Sequence, residues 1–131
     1  MPDAVQKRPR LLIAEDDSAL AETMRDVLEE DFAVDVAADG NEAVAQAKHG
    51  LHDVLVIDAG MPHMDGFDAC RALRLDPRTA DMSIIMVTGG TEPGLASAAF
   101  DAGATDYLSK PFSISQLRTR ARTCFLRGRA S

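Results

Sequence analysis

Apolar and polar positions along the chain fall into two kinds of run. Leu11-Leu12-Ile13-Ala14, Val54-Leu55-Val56-Ile57 and Ser83-Ile84-Ile85-Met86-Val87 are short and almost continuously apolar. Runs of that length bounded by turn residues predict strands buried on both faces of a sheet. Phe32 to Ala37 alternates instead and is the least apolar strand candidate, which suits an edge. Asp106-Tyr107-Leu108-Ser109 predicts a short fifth strand. Between them the apolar period lengthens to that of a helix. One helix carries Leu20, Met24, Val27 and Leu28; a second Ala43, Val44 and Ala47; a third Phe67, Cys70, Leu73 and Arg74. A weaker fourth carries Leu95, Ala98, Ala99 and Phe100, and a fifth runs to about Phe125. Ser18 can cap the first helix, Asp17 reads as the loop and cap residue before it, and Asp39 with Glu42 and Ser113 with Gln116 read as capping boxes. Gly50 and Gly103 suit helix ends, and Pro77 stops the third helix.

Five strands alternating with five helices through short connections imply a single α/β domain with a parallel sheet covered on both faces. Right-handed crossovers leave few topologies, and an edge position for the second strand favours the doubly wound order 2-1-3-4-5. The expected boundaries are a tail over 1–9, the domain over 10–126, and a tail or linker start over 127–131. The 131 residues are 46% hydrophobic and 27% charged, ordinary for a globular protein. Net charge is -7, which disfavours bulk attraction to DNA or an anionic membrane. No apolar run approaches the roughly 18 residues of a membrane span. Cys70 and Cys124 lie far apart without metal-type spacing, so two reduced, packed thiols and a cytoplasmic location are expected.

The chemistry gathers at the carboxyl ends of the strands, where open α/β sheets bind ligands. The first strand ends in Glu15 and Asp16, the third in Asp58, the fourth in Thr88 and the fifth in Lys110. The switch point of this strand order lies between strands one and three, so three carboxylates crowd one crevice. Like charges about 4 Å apart repel by about 4 kcal/mol at an effective dielectric near 20, and a cation or a raised pKa must relieve them. An all-oxygen ligand set suits Mg2+ better than zinc. A carboxylate beside Mg2+, a lysine and a hydroxyl also suits phosphoryl transfer, with Asp58 as nucleophile.

In these residues the chain resembles the receiver domains of two-component response regulators, which share the CheY-like, flavodoxin-like fold. The resemblance rests on Glu15-Asp16, on Asp58-Ala59-Gly60-Met61-Pro62-His63-Met64-Asp65-Gly66, on Thr88 and Tyr107, and on Lys110-Pro111-Phe112. It covers about Arg10 to Phe125. It implies that Asp58 accepts a phosphoryl group from a phosphohistidine of a sensor kinase or phosphotransfer protein. Asp16, Asp58 and the backbone carbonyl of Gly60 would bind Mg2+, with Glu15 acting mostly through water. Lys110 would pair with Asp58 and then with the phosphoryl group. Thr88 would move toward a phosphoryl oxygen, with Tyr107 changing between outward and inward positions. The Lys110-Pro111 bond would be cis. The face of the fourth helix, fifth strand and fifth helix would meet an output domain, a protein target or a second copy after phosphorylation. No nucleic acid or membrane is expected to contact the domain, and its only catalysis would be its own phosphorylation and dephosphorylation.

Rival readings have specific signatures. An aspartyl-phosphate hydrolase needs Asp-x-Asp after the first strand, which Glu15-Asp16-Asp17-Ser18 does not supply. A flavin-binding relative of the same topology needs a Ser/Thr/Gly phosphate loop there, where this chain has acids. A degenerate receiver acting as a phosphorylation-independent scaffold would lack part of the intact set. Scattered His49, His52 and His63 are expected on the surface, and Arg118, Arg120, Arg122, Arg127 and Arg129 on a solvated helix face. Gly60 and Gly90, two residues after Asp58 and Thr88, are expected to leave the site open and to govern phosphoryl lifetime. Gly89, with Pro93 and Gly94, predicts a mobile loop and a weak start to the fourth helix.

Overall fold

Strand and helix alternate as the periodicity predicts. In the computed structural model, β1 (Arg10–Ala14), α1 (Ser18–Leu28), β2 (Ala33–Ala37), α2 (Gly40–Gly50) and β3 (Val54–Asp58) form the first half. The second half is α3 (Gly66–Leu75), β4 (Ser83–Thr88), α4 (Leu95–Ala102), β5 (Asp106–Ser109) and α5 (Ile114–Ala130). The structure describes residues 8–130, so most of the expected N-terminal tail lies outside the described residues. All strand pairs are parallel, in the order β2-β1-β3-β4-β5.

Side-chain alternation along the strands divides the core into two layers. Leu12, Leu55, Ile57, Ile84 and Met86 pack with Ala43 and Ala47 of α2, Cys70 and Leu73 of α3, and Ala99 of α4. Leu11, Ile13, Val54, Val56, Ile85 and Val87 pack with Met24 and Leu28 of α1 and with Leu117, Ala121 and Cys124 of α5. Helices therefore cover both faces. Cys70 and Cys124 are free and buried, one in each layer.

Several local expectations change in the tertiary setting. Asp17, not Ser18, caps α1: its Oδ1 accepts from the backbone of Ala19 at 3.0 Å and Leu20 at 3.2 Å. The Ser113–Gln116 capping box forms in both directions. At α2, Asp39 accepts from Glu42 N, but Glu42 reaches back to Ala38 N rather than to the cap residue. The left-handed residue closing α2 is Leu51, at φ 53°, and Gly50 is the last helical residue. Its missing side chain makes room for His52, whose Cε1 would lie 2.4 Å from a Cβ there.

His52 is accordingly buried, against the surface position expected, with Nε2 2.8 Å from Asp35 Oδ2. Arg118 and Arg120 are not simply solvated. Arg118 binds Asp31 at 2.7 Å and holds that carboxyl below its usual range, chiefly through this hydrogen bond. Arg120 binds Asp106 at 2.8 Å. The fifth helix, expected to end near Phe125, continues to Ala130, so the residues from Arg127 to Ala130 are helical.

Candidate functional site

Register brings the polar strand ends to one edge of the sheet. Ala14 lies level with Ile57, Asp58 with Val87, and Thr88 with Ser109. Glu15, Asp58, Thr88 and Lys110 therefore all emerge at the carboxyl end, above the crevice between β1 and β3. The chain after Asp58 is held close. Ala59 donates to Val87 O at 2.8 Å, and Gly66 donates to Ala59 O at 2.9 Å. A Cβ on Gly66 would lie 2.7 Å from the carbonyl oxygen of Asp58, so only glycine lets α3 start this near Asp58. Asp65 caps that helix by accepting from Asp68 N at 2.9 Å.

Three acids and one ammonium form the centre. Lys110 Nζ lies 3.2 Å from Asp58 Oδ2 and 3.5 Å from Glu15 Oε1. Its stem passes over Gly89, where a Cβ would stand 3.7 Å from Lys110 Cδ, an ordinary contact that an alanine would also tolerate. The Lys110-Pro111 peptide is cis. Burial opposes the ammonium charge, but the carboxylates of Asp58 and Glu15 outweigh it and raise the pKa of Lys110. Glu15 is 4% exposed, and its carboxyl is pushed up to about 7. Burial is the main cause; the hydrogen bond from Asp17 N opposes it, and the charge of Asp58 adds to it.

Carboxylate oxygens of Glu15, Asp16 and Asp58 all lie within 4.8 Å of one another. The set is all oxygen, one member is buried at a raised pKa, and one lysine cannot neutralise three acids. These residues fit a hard divalent cation such as Mg2+. Gly60 is exposed, its N–H donates to Asp58 Oδ1 at 3.1 Å, and no atom lies within 4 Å of where its Cβ would be. That position is open, as expected.

Thr88 and Tyr107 differ in environment. Thr88 is 7% exposed, and its Oγ1 accepts from Gly90 N at 3.1 Å. Tyr107 is half-buried against the α2–α4 side of the core. Gly90 does not leave open space: a Cβ there would meet Glu92 Oε2 and Leu95 Cδ1, each at 2.7 Å. Sequence reasoning missed Glu92, because a loop carboxylate four residues beyond a strand carries no periodic signal. It also missed what Arg74 does, although a charged residue at an apolar helical period was a visible sign. Arg74 donates to the carbonyl oxygens of Gly103, Ala80 and Met82 and to Thr105 Oγ1, tying α3 to the α3–β4 and α4–β5 connections.

A doubly wound parallel sheet with an acid trio, a lysine and a threonine at its switch point defines a phosphoacceptor-type α/β signalling module. The family model of the response regulator receiver domain matches residues 11–122. The chain belongs to that family. It is 37% identical over 120 residues to the DNA-binding dual master transcriptional regulator RpaA of Synechocystis, covering 91% of this chain and 50% of the relative. It is 37% identical over 119 residues to the response regulator MprA of Mycobacterium avium, covering 90% and 51%. Among solved structures, a response regulator from Chloroflexus aurantiacus superposes with a TM-score of 0.86 at 36% identity, covering 92% of this chain and 99% of that one. The chain spans about half the length of the curated relatives it matches.

Proposed function

We propose that the domain is a phosphorylation switch that takes a phosphoryl group from a phosphohistidine of a sensor histidine kinase or phosphotransfer protein onto Asp58. The observation that carries this reading is Lys110 Nζ held between Asp58 and Glu15 at 3.2 and 3.5 Å. A carboxylate oxygen of Asp58 attacks phosphorus; the new P–O bond forms as the P–N bond breaks, and the released imidazole keeps the electron pair and is protonated. Asp16, Asp58 and the Gly60 carbonyl would hold Mg2+, with Glu15 acting through water, and the ion would supply positive charge against the phosphoryl oxygens. Lys110 moves from the carboxylate to a phosphoryl oxygen, and Thr88 gives up its bond from Gly90 N to donate to another. Tyr107 follows inward. The α4-β5-α5 face then meets an output domain, a protein target or a second copy.

In this reading the domain turns over nothing but its own phosphoryl group, works in the cytoplasm, and leaves DNA contact to other domains. Incubation with Mg2+ and acetyl phosphate should add one phosphoryl group by intact mass, and Asp58→Asn should abolish the gain. Light scattering on the beryllofluoride-treated protein reads association in parallel. A wild-type chain that stays unlabelled while binding its partner unchanged would support the scaffold reading instead. Replacing Gly60 by a larger polar residue should change the dephosphorylation rate several-fold, since its side chain would enter open space beside the acceptor.

A further inference from the structure

The space beside Gly90 is filled from elsewhere in the same loop. The point where a Cβ would stand lies 2.7 Å from Glu92 Oε2, 2.7 Å from Leu95 Cδ1 and 3.4 Å from Thr88 Oγ1. The Glu92 carboxylate and the Thr88 hydroxyl thus both lie within 3.4 Å of one point, the place a Cβ on Gly90 would occupy. Any other residue at position 90 would push Glu92 out, so glycine lets this carboxylate fold back toward the switch threonine. Glu92 is exposed and pairs with no cation among the described residues. Lys110, the nearby ammonium, is engaged by Asp58 and Glu15. The negative charge of Glu92 therefore stands uncompensated on the side of the crevice from which Thr88 must reach a phosphoryl oxygen.

We infer that Glu92 is a specificity-determining residue that acts through charge against small anionic phosphodonors. It does not touch Asp58 and takes no part in bond making. Its carboxylate raises the free energy of bringing a second anion beside Thr88. A donor carried on a protein surface can offset that repulsion with contacts elsewhere; a small free anion such as acetyl phosphate cannot. The inference rests on the phosphoacceptor reading of Asp58. In the transfer itself, an Asp58 oxygen attacks phosphorus, the P–O bond to the acetyl group breaks, and acetate leaves with the electron pair.

The test uses the whole 131-residue chain with Mg2+ and acetyl phosphate, following phosphoryl gain by intact mass over time. Glu92→Gln is expected to raise the phosphorylation rate about threefold at low ionic strength. The gain should shrink toward nothing near 1 M salt, where the screening length is about 3 Å. Gly90→Ala, which displaces the carboxylate without removing it, should also raise the rate. The two changes together should give no more than either alone, because they remove one interaction. Both positions lie in the β4–α4 loop, and circular dichroism of each variant checks that the fold is kept. An unchanged or slower rate for Glu92→Gln, a gain insensitive to salt, or full additivity with Gly90→Ala each overturns the role of Glu92. Absence of phosphoryl gain in wild type and Glu92→Gln alike overturns the phosphoacceptor reading and this inference with it.

Discussion

Glu15 is an acid held almost out of water beside a second carboxylate, and its pKa near 7 has a thermodynamic consequence. In the unfolded chain the group titrates near the ordinary value of 4.5. Between those values the native state binds more protons than the unfolded state, so stability falls as pH rises through this window. At 1.36 kcal/mol per pKa unit the loss amounts to about 3 kcal/mol at most. Without metal, chemical denaturation should therefore show lower stability at pH 8 than at pH 5. Glu15→Gln should remove most of that slope. Saturating Mg2+ should flatten the slope too, because a bound cation favours the charged carboxylate. A wild-type slope equal to that of Glu15→Gln would show that Glu15 does not titrate in this range.

Among the elements, α4 is the least anchored at one end and the most anchored at the other. Its N-cap is Gly94 at φ 88°, with no side-chain cap, and only Ala99 and Ala102 are buried. Its C-terminal end is gripped by α3. Gly103 sits at φ 110°, where a Cβ would lie 2.6 Å from Arg74 Cγ, and its carbonyl accepts from Arg74 Nε at 2.8 Å. Motion in this helix is therefore expected at the Thr88–Leu95 end, near the acid trio, with the far end as the fixed point. Amide exchange should be fastest over the β4–α4 loop and the first turn of α4, and beryllofluoride with Mg2+ should change it there most. Protection equal to that of β3 and β4 would contradict this. Gly103→Ala combines a left-handed backbone with displacement of the Arg74 stem, and should cost about 2 kcal/mol in urea denaturation. Gly89→Ala, whose Cβ meets only ordinary contacts, should be close to neutral.

At the scale of the molecule, the sheet converts distant sequence into one crevice, so ligand binding there should be felt as global stability. A cation that binds only the native acid trio stabilises by RT ln(1 + [L]/Kd), about 2.7 kcal/mol at one hundred times Kd. Mg2+ should raise the unfolding midpoint, and Asp16→Asn should abolish most of the rise; equal shifts in both proteins would place the ion elsewhere. The architecture behind this was legible early, because burial on two faces leaves continuous apolar strands and a 3.6-residue helical period. Strand order followed from handedness and from the polar alternation of Phe32 to Ala37. Once the strands were placed, Glu15, Asp16, Asp58, Thr88 and Lys110 had to share an edge, since parallel strands all end on the same side. Local pattern carries no information about pairs that meet only through folding. Lys110 and Glu15 stand 95 residues apart, and Asp35 and His52 17 apart, on different elements. The depth of Glu15, the burial of His52, the grip of Arg74 on Gly103 and the filling of the Gly90 gap by Glu92 are such meetings. The sequence by itself determined the elements, their order and the edge where the acids gather, because those depend on periodicity and chain handedness. The tertiary structure alone decided how far each charge is removed from water and which partner answers it, because burial and Coulomb energy depend on distances between elements.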